Sequence, residues 1–352
     1  MKVLISGTAG AGGWPAPGCE CASCARLAPG HRRPTSVVLA DSVRLPPAGP
    51  LPPGYRASAG PDGLVVTTPG GRRVLYAAPL PFPAPDDGPA TPYGGWDGEE
   101  GAVNLALVDV LERPERLGDL RRRGLVGTRT HVVAVDVDHR VPSGAELARR
   151  ARLWGVRVVA DGTVLDLDEA PPEPDPFPRR TLLLGGTRSG KSAEAELRLA
   201  AEPEVLYVAT GPSGEGDPEW LRRIETHRRR RPAHWDTAET TDLAGLLGSA
   251  TTPLLVDGLG TWVAAVFDEC DAWSGEDGRD AVAARCDELV AAWRRTRVRV
   301  VAVSDEVGLG VVPATAGGRL FRDALGRLNQ RLARESEDVA LVVAGRLLPL
   351  PA

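Results

Sequence analysis

Eight residues, Gly185-Gly-Thr-Arg-Ser-Gly-Lys-Ser192, constrain this chain more than any others. They fit G-x-x-x-x-G-K-[ST], come after the apolar run Thr181–Leu184 and precede a helix-like stretch from 191 to 201. A strand, a glycine-rich loop and a helix in that order turn successive backbone N–H groups toward an anion. The loop Gly185, Gly186, Thr187, Arg188, Ser189 and Gly190 is thus expected to wrap a polyphosphate. Lys191 would reach the terminal phosphates, and the Ser192 hydroxyl would ligate Mg²⁺. Composition sharpens this. Lys and Arg together number 42, yet only Lys2 and Lys191 are lysine. In a chain that otherwise uses arginine, a retained lysine marks a place that needs a compact ammonium. A chance glycine turn explains neither the lysine nor the flanking elements.

The chain beyond the loop has the pattern of a sheet built around it. Apolar runs at Val205–Ala209, Leu254–Val256, Val298–Val303 and Val339–Val343 alternate with helix-like stretches near 218–231, 259–270, 279–296 and 319–335. Short, nearly continuous apolar strands alternating with helices predict a mostly parallel α/β sheet covered on both faces. Ahead of it, Glu169-Ala-Pro-Pro-Glu-Pro-Asp-Pro-Phe-Pro178 has five prolines in ten residues, a stiff extended spacer rather than helix or central strand. The expected division is therefore a domain over 1–168, a linker over 169–179 and a domain over 180–352. Two domains suit 352 residues. The first half predicts strands at Val3–Ser6, Val37–Leu39, Leu64–Thr67, Val74–Ala77, Val132–Val137 and Val156–Ala160, with helices at about 103–112 and 144–153. That is a mixed αβ sandwich, with Pro/Gly-rich loops from about 45 to 63 and 80 to 98.

A formal net charge of −5 argues against a nucleic-acid partner held by bulk positive charge. No run approaches the length of a membrane-spanning helix, and the start is a poor secretory signal, so a cytoplasmic location is expected.

Two further segments bear on chemistry. Leu254-Leu-Val-Asp257 is an apolar strand ending in a carboxylate, the arrangement that holds Mg²⁺ beside a phosphate loop. Asp217 to Pro232 reads as a helix, with Asp217 as N-cap, Pro218 in the first turn and Pro232 as the stop. His227 lies on it among arginines. A lone histidine beside a solvated arginine face is the plainer account. Cations downstream of a phosphate loop suit instead an imidazole that meets a phosphate.

These residues resemble one family. The run Gly185–Ser192, the stretch Arg223-Ile-Glu-Thr-His-Arg-Arg-Arg-Arg-Pro-Ala-His-Trp235 with Thr237 and Glu239, Ser304-Asp-Glu-Val-Gly-Leu-Gly-Val-Val-Pro313, Arg319–Asp323 and Gly326–Leu332 occur in its order. It is the bifunctional adenosylcobinamide kinase / adenosylcobinamide-phosphate guanylyltransferase family, and the resemblance covers about 180–352. It implies a P-loop, RecA-like fold and a homotrimer. It implies that a nucleoside triphosphate, ATP or GTP, phosphorylates the aminopropanol hydroxyl of adenosylcobinamide. GMP from GTP then passes to that phosphate through a covalent phosphoramidate on His227. Splitting one transfer into two suits a neutral imidazole, which attacks phosphorus and later leaves. Arg231 and Glu239 fall in the nucleotide-binding set, with Glu239 expected to accept from the guanine edge. The sequence departs from the family at Asp305, where Asn is usual, and at Gly258, where a bulkier residue is common.

In the first half, Cys19-Glu-Cys21-Ala-Ser-Cys24 packs three of the five cysteines together. In a reducing compartment such a cluster suits metal better than disulfide, and Zn²⁺ asks for four tetrahedral ligands. Three reduced loop thiols are the simpler alternative. Cys270 and Cys286 fall in helical patterns and are expected in the core. The opening strand with Ser6-Gly-Thr8, the cysteine cluster, Arg33–Asp41 and Val158-Val-Ala-Asp-Gly-Thr163 resemble, more faintly, the metallo-β-lactamase-like phosphodiesterases. That resemblance implies a structural zinc on Cys19, Cys21, Cys24 and His139. The hydrolytic H-x-H-x-D-H run is missing, and Asp136 stands where a catalytic histidine would be. A degenerate domain is therefore expected. A nucleotide-dependent switch or scaffold, or an enzyme keeping one of the two activities, are the competing accounts of the whole chain.

Overall fold

The computed structural model describes residues 1–47, 49–77, 94–95, 101–211, 222, 225 and 231–351. The chain divides into two compact units, Met1–Asp175 with Ala200–Pro203, and Pro176–Leu199 with Glu204–Ala352.

In the first unit, β1 (Lys2–Gly7), β2 (Ser36–Leu39), β3 (Val43–Leu45) and β10 (Thr163–Asp166) form an antiparallel sheet in the order β10-β1-β2-β3. A second sheet, in the order β7-β4-β5-β6-β8-β9, is built from β4 (Arg56–Gly60), β5 (Gly63–Thr67), β6 (Arg73–Ala77), β7 (Gly94–Gly95), β8 (Leu105–Val108) and β9 (His131–Ala134). Its central pairs β4–β5 and β5–β6 are antiparallel, while β7–β4, β6–β8 and β8–β9 are parallel. Val3, Ile5, Val37 and Leu39 from one sheet pack with Leu64, Val66, Val74, Leu105 and Leu107 from the other. The period-2 alternation of β1 delivers Val3 and Ile5 to this core and leaves Lys2 exposed.

Two expectations fail here. The stretch 103–112 is strand β8 rather than helix. Leu105 to Val108 are buried without a break, and such a run looks the same in a covered strand and a buried helix. The helix comes later, as α1 (Glu115–Arg122), started at Pro114. Val156–Ala160 is extended but pairs only at one bridge, Arg157 to Val133. The strand proper, β10, comes after the left-handed turn at Gly162 (φ +92°). Helix α2 (Gly144–Trp154) matches its expectation. The Ser143 hydroxyl accepts from Glu146 N at 3.1 Å, Gly155 (φ +61°) ends the helix, and Leu147, Ala151 and Trp154 form its buried face.

The second unit is one seven-stranded sheet in the order β13-β12-β14-β15-β11-β16-β17. Its members are β11 (Arg180–Gly185), β12 (Leu206–Ala209), β13 (Asp236–Glu239), β14 (Leu254–Asp257), β15 (Val300–Asp305), β16 (Asp338–Val343) and β17 (Arg346–Pro349). All pairs are parallel except the final hairpin β16–β17. Both faces are covered, as expected. On one side Leu182, Leu184, Val256 and Ala302 meet Leu243, Trp262, Val266, Trp293 and Leu328 from α4 (Leu243–Ser249), α5 (Leu259–Glu269), α6 (Glu276–Arg295) and α7 (Ala316–Arg334). On the other, Leu183, Leu255 and Val301 pack with Ala195 and Leu199 of α3 (Lys191–Leu199). Cys286 is buried in α6, and Cys270 is half-buried at the end of α5. Of the helix expected over 217–232, only residues 222, 225, 231 and 232 are described; Arg222 and Glu225 are helical, and the rest lies outside the described residues. No helix among the described residues is long and apolar enough to cross a membrane.

Candidate functional site

A parallel sheet puts the loops at the carboxyl ends of its strands along one edge, where ligands bind. Strand β11 delivers Gly185 there, and α3 starts at Lys191. Glycine is needed at 185. A Cβ would stand 2.7 Å from Val342 O and 2.6 Å from Ser189 Oγ. Gly190 has φ +98° and Arg188 φ +57°, the tight backbone that turns N–H groups inward. Ser189 N donates to Gly186 O at 3.2 Å and Gly345 N to Ser189 O at 2.8 Å, fixing the loop from within and from the β16–β17 turn. The Ser189 hydroxyl is buried with no partner among the described residues.

Lys191 is buried, donates to Gly186 O at 3.0 Å and pairs with Asp305 Oδ1 at 2.8 Å. Asp305 closes β15, the immediate neighbour of β11, which puts a carboxylate beside the loop lysine. Its backbone is held by Asn329, whose Nδ2 donates to Asp305 O at 3.0 Å, while the Ser304 hydroxyl donates to Asn329 Oδ1 at 2.6 Å. Ser304 and Asn329 are both buried, so this is a satisfied polar network rather than a surface contact. Gly260 leaves room for the carboxylate, since a Cβ there would lie 2.5 Å from Asp305 Oδ2. The sequence marks Asp305 only as a departure. Its pairing with the lysine comes from strand order, which the apolar pattern does not encode.

Ser192 Oγ donates to Asp257 Oδ1 at 3.0 Å, and the Tyr207 hydroxyl donates to Asp257 Oδ2. Burial, then the Asp257 charge, raises the Tyr207 hydroxyl well above the ordinary tyrosine range, so it stays a donor. Arg231 lies over the Tyr207 ring, with Cζ 3.4 Å from its centroid, and donates to Thr237 Oγ1 at 3.2 Å. Tyr207, unmarked in the sequence, thus links Asp257 to Arg231. A hydroxyl and a carboxylate side by side are the oxygen donors that a hard divalent cation takes when phosphate supplies the rest. Glu239 ends β13 at the same edge, but four strands from β11, roughly 19 Å at about 4.8 Å per strand. His227 lies outside the described residues.

The first unit holds a second constellation. The ligand atoms of Cys19, Cys21, Cys24 and His139 all lie within 4.8 Å of one another. His139 Nδ1 is 3.8 Å from Cys19 Sγ and 3.7 Å from Cys24 Sγ. Those are the edge lengths of a tetrahedron whose centre is about 2.0–2.3 Å from each ligand. Hydrogen bonding from the Cys24 backbone N–H lowers the Cys21 thiol pKa, favouring the thiolate that binds metal. In the same unit, Asp136 has φ +53°, and burial, then the Asp109 charge, pushes its carboxyl up to about 6.

Residues 181–350 match the family described as cobinamide kinase / cobinamide phosphate guanyltransferase. The chain is 40% identical over 174 residues to the bifunctional adenosylcobalamin biosynthesis protein CobU of Escherichia coli, covering 47% of this chain and 95% of that relative. It is 44% identical over 178 residues to the bifunctional adenosylcobalamin biosynthesis protein CobP of Pseudomonas aeruginosa, covering 49% and 96%. Among solved structures, a prototypical ATPase from a type III secretion system aligns at 11% identity and TM-score 0.31. The match spans 46% of this chain and half of that one, too slight a likeness to argue from.

Proposed function

Over residues 181–350 the chain belongs to the cobinamide kinase / cobinamide phosphate guanyltransferase family, and on that premise we propose a two-step corrinoid transferase of cobalamin biosynthesis. In the first step the aminopropanol hydroxyl of adenosylcobinamide attacks the γ-phosphorus of a nucleoside triphosphate, ATP or GTP. The O–P bond forms as the β–γ bridge breaks, and the diphosphate leaves. Lys191 meets the transferring group and neutralises charge that grows there. The loop N–H groups and the Ser189 hydroxyl orient the phosphates. The observation that carries this step is the joint geometry of Lys191, Ser192 and Asp257 at the end of β11 and β14. Ser192 and Asp257 would hold Mg²⁺, which when bound supplies a cation for the phosphate oxygens. Tyr207 keeps Asp257 aimed at that place.

In the second step His227 attacks the α-phosphorus of GTP and pyrophosphate leaves. The phosphate of adenosylcobinamide phosphate then takes the GMP, and the imidazole departs, giving adenosylcobinamide-GDP. What supports His227 is its place among arginines upstream of Arg231, itself stacked on Tyr207 beside the phosphate site. Arg231 would neutralise phosphate and Glu239 would accept from guanine. The first unit is read as a degenerate metallo-β-lactamase-like sandwich holding a structural zinc on Cys19, Cys21, Cys24 and His139. A cytoplasmic homotrimer is the assembly and place that this reading expects.

The direct test is a single-turnover assay with adenosylcobinamide and GTP, the intermediates separated by chromatography. Sequential appearance of the phosphate and then the GDP derivative is expected. Nucleotide hydrolysis with neither product would return the chain to a switch or scaffold.

A further inference from the structure

Directly after Asp305 the chain runs out as Glu306-Val-Gly-Leu-Gly-Val-Val-Pro313 before α7 begins. Three of its side chains stand in solvent, Leu309 79% exposed, Val311 95% and Val312 64%. They are three of the large apolar side chains exposed in the described residues, and they fall within four consecutive positions. Large apolar side chains grouped in water cost hydration and mark a contact surface.

The loop is held in this pose from behind. Arg322 of α7 donates to Gly308 O at 2.7 Å and to Gly310 O at 3.3 Å. Arg319 donates to Pro313 O at 3.0 Å and to Ala314 O at 2.7 Å. Gly308 N donates to Glu306 Oε1 at 2.7 Å. Two guanidinium groups thus tie down the carbonyls while the apolar side chains face out. Backbone ordering is met before any ligand arrives, which favours binding.

Position names the occupant. Glu306 N donates to Gly185 O at 3.2 Å, so the loop leaves from the phosphate loop itself. Leu309 is four residues past Asp305, which touches Lys191, and so at most about 14 Å along the chain from it. An acceptor whose hydroxyl meets phosphorus at Lys191 must rest its remaining bulk on neighbouring surface. A small polyol would leave Leu309, Val311 and Val312 in water. A macrocycle edged with methyl groups would cover them. We propose that Leu309, Val311 and Val312 form the subsite for the apolar flank of the corrinoid acceptor, positioned by Arg319 and Arg322. This rests on the transferase function proposed above and assigns where its large substrate lies.

The test uses the full chain with Leu309→Ser and Val311→Ser, substitutions at exposed positions that leave folding intact. Steady-state kinetics are run with adenosylcobinamide and GTP, and molecular mass is monitored by light scattering. Each variant should raise KM for adenosylcobinamide about tenfold, the cost of losing one buried aliphatic contact, with KM for GTP unchanged. Mass should not change. An unchanged corrinoid KM overturns the subsite, and a fall in mass makes the loop an interface between copies instead. If the wild-type chain itself neither binds nor phosphorylates adenosylcobinamide, the transferase reading fails and the subsite falls with it. Wild-type turnover with unaltered variants overturns the subsite alone.

Discussion

Lys191 pairs with a carboxylate, Asp305, at the place the proposed site gives to a nucleotide's phosphate. Loading the site therefore exchanges one anion for another at the same ammonium. The pair is only partly screened from water, so it contributes about 1 kcal/mol against nucleotide binding. Asp305→Asn should then tighten a non-hydrolysable GTP analogue by about three- to tenfold in titration calorimetry. Weaker binding in that variant would mean that Asp305 supports the nucleotide rather than competing with it. Lys191→Ala should lower phosphoryl transfer by at least about 100-fold, because charge at the transferring group loses its fixed partner. Asp136 carries a different consequence. Its folded carboxyl titrates near 6, above the usual carboxylate range, so the folded chain holds that proton more tightly than the unfolded one. The stability this group contributes is therefore greatest at acid pH and falls as pH rises through the carboxylate range to about 6. Asp136→Asn should raise the unfolding free energy at pH 7.5 by about 1 kcal/mol, after allowing for solvent screening, and change little at pH 4. Asn also tolerates the left-handed backbone at this position. Equal effects at both pH values would refute the titration account.

Among the elements, legibility in the sequence tracks burial pattern. Strands β11, β14 and β15 announce themselves because both faces are covered and their runs are almost wholly apolar. Strand β13 does not, since Asp-Thr-Ala-Glu at a sheet edge has no apolar run to show. Strand β17 is equally hidden, a hairpin return made by Ala344 and Gly345 at positive φ. The loop from Gly185 to Ser192 is legible because its spacing is local. The partners Asp305 and Tyr207 depend on which strands lie side by side, a non-local fact. The cysteine cluster is intermediate: three of the residues that could hold a metal are local, while His139 arrives from beyond β9. Such a site ties a loop to a strand end across the sequence and contributes to folding directly. Elemental analysis should find one zinc per chain, and Cys24→Ser should lose it. Chelation should lower the unfolding temperature of the first unit by about 10 °C or more. No zinc, or two per chain, would contradict the structural site.

At the scale of the whole molecule, each unit has its own apolar core, and the proposed chemistry is confined to the second. Within it, one phosphate loop is asked to serve two reactions that differ in the phosphorus attacked. In the proposed scheme, phosphorylation of the corrinoid uses Lys191, Ser192 and a hydroxyl acceptor, with no covalent enzyme intermediate. Guanylyl transfer needs a nucleophile of the protein, assigned to His227. The two steps should therefore separate in a single substitution. The decisive measurement incubates wild-type, His227→Ala and His234→Ala chains with labelled GTP, then with adenosylcobinamide. It tracks both the base-stable, acid-labile protein adduct and the corrinoid products. His227→Ala should form no adduct and no GDP derivative while still phosphorylating adenosylcobinamide, and His234→Ala should behave as wild type. Normal labelling of His227→Ala, or loss of labelling in His234→Ala alone, would contradict the account.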